Sequence, residues 1–188
     1  MIKDLLIKER SYRSFDESVS IDRDTLVGFV ENARLTPSSA NIQPLKYKIC
    51  NTKEESELIF PLTKWAALLK DSEIPPKGHT PTAYIIICTD KNVSERTFDK
   101  DVGIAAQTLM LSAVEAGFGG CMIGSFDRSK LTEILSLPEG IIPSLVLAFG
   151  KPDEEIVLEA VGENGSAYYR DGNGVHHVPK RSLDEIIL

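Results

Sequence analysis

Apolar residues recur along this chain at helical and at strand spacing. Leu26, Phe29, Val30 and Ala33 form one helix face behind an acidic N-cap at Asp22, and Pro37 closes that segment. Val102, Ala105, Ala106, Leu109, Met110, Ala113 and Val114 give Asp99 to Ala116 a broader apolar face, with Gly117 placed to end the helix. Further helices are predicted around Ile2, Leu5 and Leu6, over Lys53 to Lys70 with the sole tryptophan, Trp65, and over Asp127 to Leu135. A last helix follows Ser182, which has capping-box spacing to Glu185. Tyr47 to Cys50, Tyr84 to Thr89, Gly120 to Ile123 and Ser144 to Gly150 read as strands. Tyr168 to Val178, interrupted by Asp171 to Gly174, reads as a hairpin, and Ser72 to Pro81 as a proline-rich loop. Helices and strands therefore alternate without an internal repeat, and 188 residues suit a single domain, 1–188.

Composition adds bounds. Hydrophobic residues at 42% and charged residues at 26% are the balance of a globular protein. A net charge of -7 offers no general attraction to nucleic acid or to an acidic membrane, so an anionic ligand needs a local cationic pocket. Apolar runs such as Ala83 to Cys88 fall short of the roughly 20 residues that span a bilayer. The charged N-terminus lacks the pattern of a signal peptide, which places the expectation in the cytosol. Cys50, Cys88 and Cys121 are odd in number and widely spaced, against a disulfide framework or a zinc site.

Four segments carry candidate chemistry. Arg10, Ser11 and Arg13 put two guanidinium groups and a hydroxyl at a helix end, a combination that grips phosphate; alone it reads as a solvated turn. Pro37, Ser38, Ser39, Ala40, Asn41, Ile42, Gln43 and Pro44 form a rigid loop rich in neutral hydrogen-bonding groups, or a plain connector. Gly117 to Gly124, containing Met122 and Ile123, supplies the small residues that let backbone approach a flat ring, although glycines also serve helix ends. Val178, Pro179, Lys180 and Arg181 add two cations near the C-terminus. His176 and His177, adjacent in a predicted strand, point to opposite faces and cannot share a metal. His79 reads as solvated, Cys121 as a small buried hydrophobe, and Trp65 as core or a pocket cover.

The pairing of Arg-Ser-x-Arg with Pro-Ser-Ser-x-Asn-x-Gln-Pro, followed by the helix bearing Asp101 and Gln107 and by Gly117 to Gly124, resembles the nitroreductase family of flavoproteins. The resemblance runs from Arg10 to Ile187. It implies an α+β fold with a mostly antiparallel central sheet flanked by helices, and an intertwined homodimer joined through Asp99 to Ala116. It implies FMN as cofactor, with Arg10, Ser11, Arg13, Lys180 and Arg181 on its phosphate and ribityl groups. Pro37, Ser38, Ser39, Asn41 and Gln43 would reach the flavin of the other subunit. Met122, Ile123 and Gly124 would run along the ring, with a backbone N–H near Gly124 directed at flavin N5. The implied activity is hydride transfer from NADH or NADPH to the flavin and then to a nitroaromatic, quinone-like or similar small acceptor, with no side chain as catalytic acid or base. Flavin storage, reductive dehalogenation and flavin fragmentation are the alternatives. Glu9 stands where many relatives carry Arg and Leu45 where they carry Trp, and the stretch from Phe60 to Thr82, where a substrate lid would form, matches least.

Overall fold

The computed structural model describes residues 1–66, 69, 74–163 and 165–188. Its centre is β3 (Ala83–Asp90), buried at every residue. A strand covered on both faces needs apolar side chains at odd and even positions alike, and Ala-Tyr-Ile-Ile-Ile-Cys supplies them. β3 pairs antiparallel with β2 (Leu45–Cys50) on one side and with β5 (Ile141–Pro152) on the other. The far edge of β5 is shared. β4 (Gly119–Ile123) pairs with Val146 to Gly150, and β1 (Phe15–Asp16) pairs with Lys151 and Pro152, both antiparallel.

Strand alternation divides the core in two. Ile85, Ile87, Leu147 and Phe149 pack with Leu26 and Phe29 of α2 (Arg23–Arg34) and with Ala105, Leu109 and Met110 of α4 (Asp99–Glu115). On the opposite face Tyr84, Ile86, Val146 and Ala148 meet Ile59 of α3 (Lys53–Ile59) and Leu131 of α5 (Arg128–Ile134). α1 (Ile2–Lys8) lies against α4. A second sheet places β8 (His176–Lys180) between β6 (Ile156–Ala160), which is parallel to it, and β7 (Tyr169–Arg170), which is antiparallel. α6 (Leu183–Ile186) follows β8. The architecture is the α+β one expected, with an antiparallel central sheet between helices.

Local chemistry sets the helix ends. The Asp22 carboxylate accepts from the Thr25 backbone N–H at 2.9 Å, and Thr52 with Glu55 forms a capping box for α3. At the end of α4, Gly117 takes φ +82°, Phe118 N–H donates to Ala113 O at 2.8 Å and Gly117 N–H to Val114 O at 3.1 Å. That is a Schellman motif, in which the left-handed position favours glycine.

The helix expected over Lys53 to Lys70 is shorter. α3 stops at Ile59, a 3-10 turn covers Phe60–Leu62, and Thr63 bridges to Phe126. Pro61 has no N–H to continue the helical ladder. Leu62 and Trp65 still pack on the second core, so their apolar character reflects burial rather than helix. Ala67, Leu68 and Lys70 of that expected helix, and Ser72 and Glu73 of the expected loop, lie outside the described residues. β2 and β5 begin earlier than expected, and β1 and β6 carry too little pattern of their own to be foreseen.

Candidate functional site

Between Lys8 and Phe15 the chain is held by β4. Tyr12 N–H donates to Gly120 O at 2.9 Å, and Ser11 pairs with Gly120 in an isolated parallel bridge. This approach requires glycine at position 119, where a Cβ would stand 2.5 Å from the Tyr12 ring, while a Cβ on Gly120 would stand 2.3 Å from Ala148 O of the neighbouring β5. So anchored, Arg10, Ser11 and Arg13 face the small sheet and enclose a cavity of about 180 Å³ with Ile156, Tyr168, His176, Val178 and Lys180. Four of the five residues expected at a phosphate therefore converge. Arg181, the fifth, does not line this cavity; its side chain is 58% exposed and 3.2 Å from Glu185.

Glu154, nearly buried, secures the arrangement by accepting from the Arg13 backbone N–H and from the Arg170 guanidinium at 2.5 Å. The Arg13 guanidinium carbon lies 5.0 Å from the centre of the Tyr168 ring, a cation–π contact, and Arg10 donates to Leu6 O at 2.7 Å. The His176 side chain is 2% exposed, and among the described residues neither ring nitrogen has a hydrogen-bond partner, nor does Arg10 Nε. Burial first, then the charges of Arg13 and Arg170, push the His176 pKa down to about 4, so the ring is neutral near pH 7. Three cations and unpaired buried nitrogens around one small cavity call for an oxyanion, and a phosphate monoester brings three strong acceptor oxygens. The residues present fit such a group.

The Pro37 to Pro44 loop is built around Asp101, at the start of α4. Ser38 Oγ donates to Asp101 Oδ2 at 2.6 Å, Ser39 Oγ to Oδ1 at 2.6 Å, and Ser39 N–H to Oδ2 at 3.0 Å. Burial opposes ionisation of Asp101, but the hydrogen bonds from Ser38 and Ser39 outweigh it and hold the carboxyl below its ordinary range. Ala40, Asn41 and Gln43 take φ of +50°, +55° and +53°. Such backbone costs on the order of 1 kcal/mol or more per residue and persists where the surroundings over-determine it. Gln43 Nε2 donates to Asn41 Oδ1 at 3.1 Å, and both residues are exposed. Pro37, Ser38, Gln43 and Asp101 line a second cavity of about 140 Å³, which shares no residue with the cationic one.

In β4, Met122 packs with the α2 and α4 core and Ile123 with the α3 and α5 core. Their side chains thus leave opposite faces of the sheet, and only backbone runs along a common edge there. A Cβ on Gly124 would meet nothing within 4 Å, so this position just past β4 is open.

Another cavity, about 650 Å³, lies elsewhere, lined by residues including Glu17, Asn51, Lys53, Glu57, Phe60 and Thr82. With one lysine against two glutamates it is no anion site. Burial pushes the Cys121 thiol up to about 11, leaving it inert near neutral pH. Trp65 donates to Thr63 Oγ1 at 2.8 Å and packs on the core. His79 sits 2.8 Å from Asp153. Among the described residues no helix is long and apolar enough to cross a membrane.

Sequence reasoning missed Glu154, Tyr168 and Arg170, and weighed His176 only as a metal ligand. None of these lies in a local motif. They meet the basic turn because β6, β7 and β8 assemble beside it.

Comparison with known proteins places the chain in a family. The family model described as the nitroreductase family matches residues 7–151. A protein of Archaeoglobus fulgidus named NADH dehydrogenase/NAD(P)H nitroreductase is 25% identical over 158 residues, covering 80% of this chain and 85% of its own. A nitroreductase family protein from Streptococcus pneumoniae TIGR4 shares the fold with TM-score 0.70 at 21% identity, over 100% of this chain and 99% of that one. A nitroreductase from Exiguobacterium sibiricum 255-15, solved in complex with FMN, superposes with TM-score 0.69 at 19% identity, over 82% of this chain and 89% of that one. The family match begins just before the basic turn and runs through the Ser38–Asp101 loop and β4 almost to the end of β5, and by it the chain belongs to the nitroreductase family.

Proposed function

We propose that this chain is an FMN-dependent NAD(P)H oxidoreductase that reduces small nitroaromatic or quinone-like acceptors as a homodimer. The observation that carries the reading is the convergence of Arg10, Ser11, Arg13 and Lys180 on one small cavity with unpaired buried nitrogens. Arg10 and Arg13 would hold the cofactor phosphate by charge-assisted bonds, Ser11 would add a hydroxyl, and Lys180 a third cation. When bound, FMN would supply the hydride acceptance and donation that no side chain here can perform. The open backbone at Gly124 would lie against the ring, and no acid or base of the protein is assigned to the transfer.

Two observations support the dimer. Ile2, Leu6 and Ile7 of α1, Ile104 of α4 and Leu183 and Ile186 of α6 are exposed apolar residues without cover in the single chain. The loop cavity and the phosphate cavity also sit apart within one chain. Asp101, which holds the loop, and Gln107, which reaches Glu9 beside Arg10 at 3.4 Å, are six residues apart on α4 and so face directions roughly 120° apart. The loop would therefore serve the partner's flavin. Purified protein should be yellow, retain FMN through desalting, and oxidise NADH or NADPH in the presence of a nitroarene or quinone. Colourless protein that neither takes up FMN nor consumes either nicotinamide refutes the proposal. In mixed dimers, Ser39→Ala or Asn41→Ala on one subunit should weaken flavin binding at the site completed by that loop.

A further inference from the structure

We propose that His176 is a direct ligand of the phosphate group in the cavity of Arg10, Ser11, Arg13 and Lys180, donating a hydrogen bond from a neutral ring. The inference rests on the flavin-phosphate reading above and adds to it a residue outside the basic motifs.

β8 fixes the side chain's direction. His177, next in the strand, turns the other way and meets the Glu159 carboxylate at 2.9 Å. His176 turns inward, lines the cavity, and has the Tyr168 ring at 5.4 Å edge-on. A histidine used only for packing normally finds partners for its ring nitrogens, because each unpaired buried polar atom costs roughly 1–3 kcal/mol. Among the described residues His176 has found none.

The charged groups around it explain why. Arg13 from the N-terminal turn and Arg170 from β7 disfavour a proton on the ring, and His177 on its own strand acts in the same sense. Arg10 and Lys180 line the same cavity. Glu154 Oε2 stands 4.0 Å from Nδ1, but that carboxylate is already engaged by the Arg13 backbone N–H and by Arg170. The ring therefore keeps one N–H and one lone pair, and no ion pair must break for the N–H to turn to an incoming oxygen. A bound anion satisfies that donor and offsets the cations that surround it.

The test compares FMN with riboflavin, which lacks the phosphate, by quenching of flavin fluorescence. His176→Phe should weaken FMN binding at least about tenfold while leaving riboflavin unchanged, as expected for one lost hydrogen bond to a charged group. His176→Gln, which retains an N–H donor, should recover part of the loss. In the wild-type chain the His176 ring nitrogen resonances should move on adding FMN or inorganic phosphate, and not on adding riboflavin. Equal losses for both flavins in His176→Phe, or ring resonances unmoved by both phosphate compounds, overturn the inference. If the wild-type chain binds no flavin, the flavin reading fails by itself, and the response of the His176 ring to inorganic phosphate decides this one.

Discussion

Ser39 and Asp101 are joined twice, hydroxyl to Oδ1 at 2.6 Å and backbone N–H to Oδ2 at 3.0 Å, across 62 positions of sequence. This link fastens a loop with three left-handed non-glycine residues to the first turn of the central helix. Asp101→Asn halves the acceptor capacity and removes the charge. It should cost about 2–3 kcal/mol in urea unfolding and loosen flavin retention; a loss under about 0.5 kcal/mol would show that the loop holds itself.

Acid sensitivity follows from the same residue. Burial opposes ionisation of Asp101, yet its serine hydrogen bonds lower its pKa below the ordinary 3.8. Its contribution is therefore fully present above that ordinary value and lost as pH falls through the lower folded one. The fall in wild-type stability below about pH 4 should be shallower in Asp101→Asn, read from thermal midpoints at several pH values.

Histidine 176 works in a different window. Its pKa falls from 6.5 unfolded to about 4 folded, because the buried ring resists charge beside Arg13 and Arg170. Between those values the unfolded chain binds the extra proton, so stability rises with pH, by roughly 3 kcal/mol in all. In flavin-free protein His176→Gln should remove this slope between pH 4 and 6.5. Parallel curves for variant and wild type would contradict the assignment.

Glu154 holds together groups from the N-terminal turn and from β7. Glu154→Ala leaves the Arg13 N–H and the Arg170 guanidinium without their partner and should cost about 3 kcal/mol, as for a broken buried pair. The loosened turn should also weaken FMN more than riboflavin, which equilibrium titration with each flavin would read.

Two glycines of one segment should behave oppositely. A methyl on Gly120 meets the Ala148 carbonyl of β5, which cannot move without breaking the sheet, so Gly120→Ala should unfold or severely destabilise the chain. Gly124→Ala has open space and should leave the unfolding midpoint within about 0.5 kcal/mol. Its effect should appear only as altered flavin affinity or a slower hydride step, and unchanged flavin behaviour would place the ring away from Gly124.

Sequence alone determined what local physics controls. The period of Leu26, Phe29 and Ala33, the Asp22 cap, the Gly117 stop and the apolar run of β3 each specify an element through contacts within a few residues, and the structure shows each of them. The order of motifs also identified the family. Tertiary structure decided the rest. Past the stop at Pro61, the pairing of Thr63 with Phe126 is a long-range contact that no helical period reveals. Arg181 looked equivalent to Lys180 in sequence, yet only Lys180 lines the cavity, because successive strand residues leave opposite faces and Arg181 lies past the end of β8. The small sheet carries Tyr168, Arg170 and His176 to the basic turn more than 150 residues away in the chain. That meeting depends on burial and strand pairing over long range, and those forces leave no mark on the local pattern.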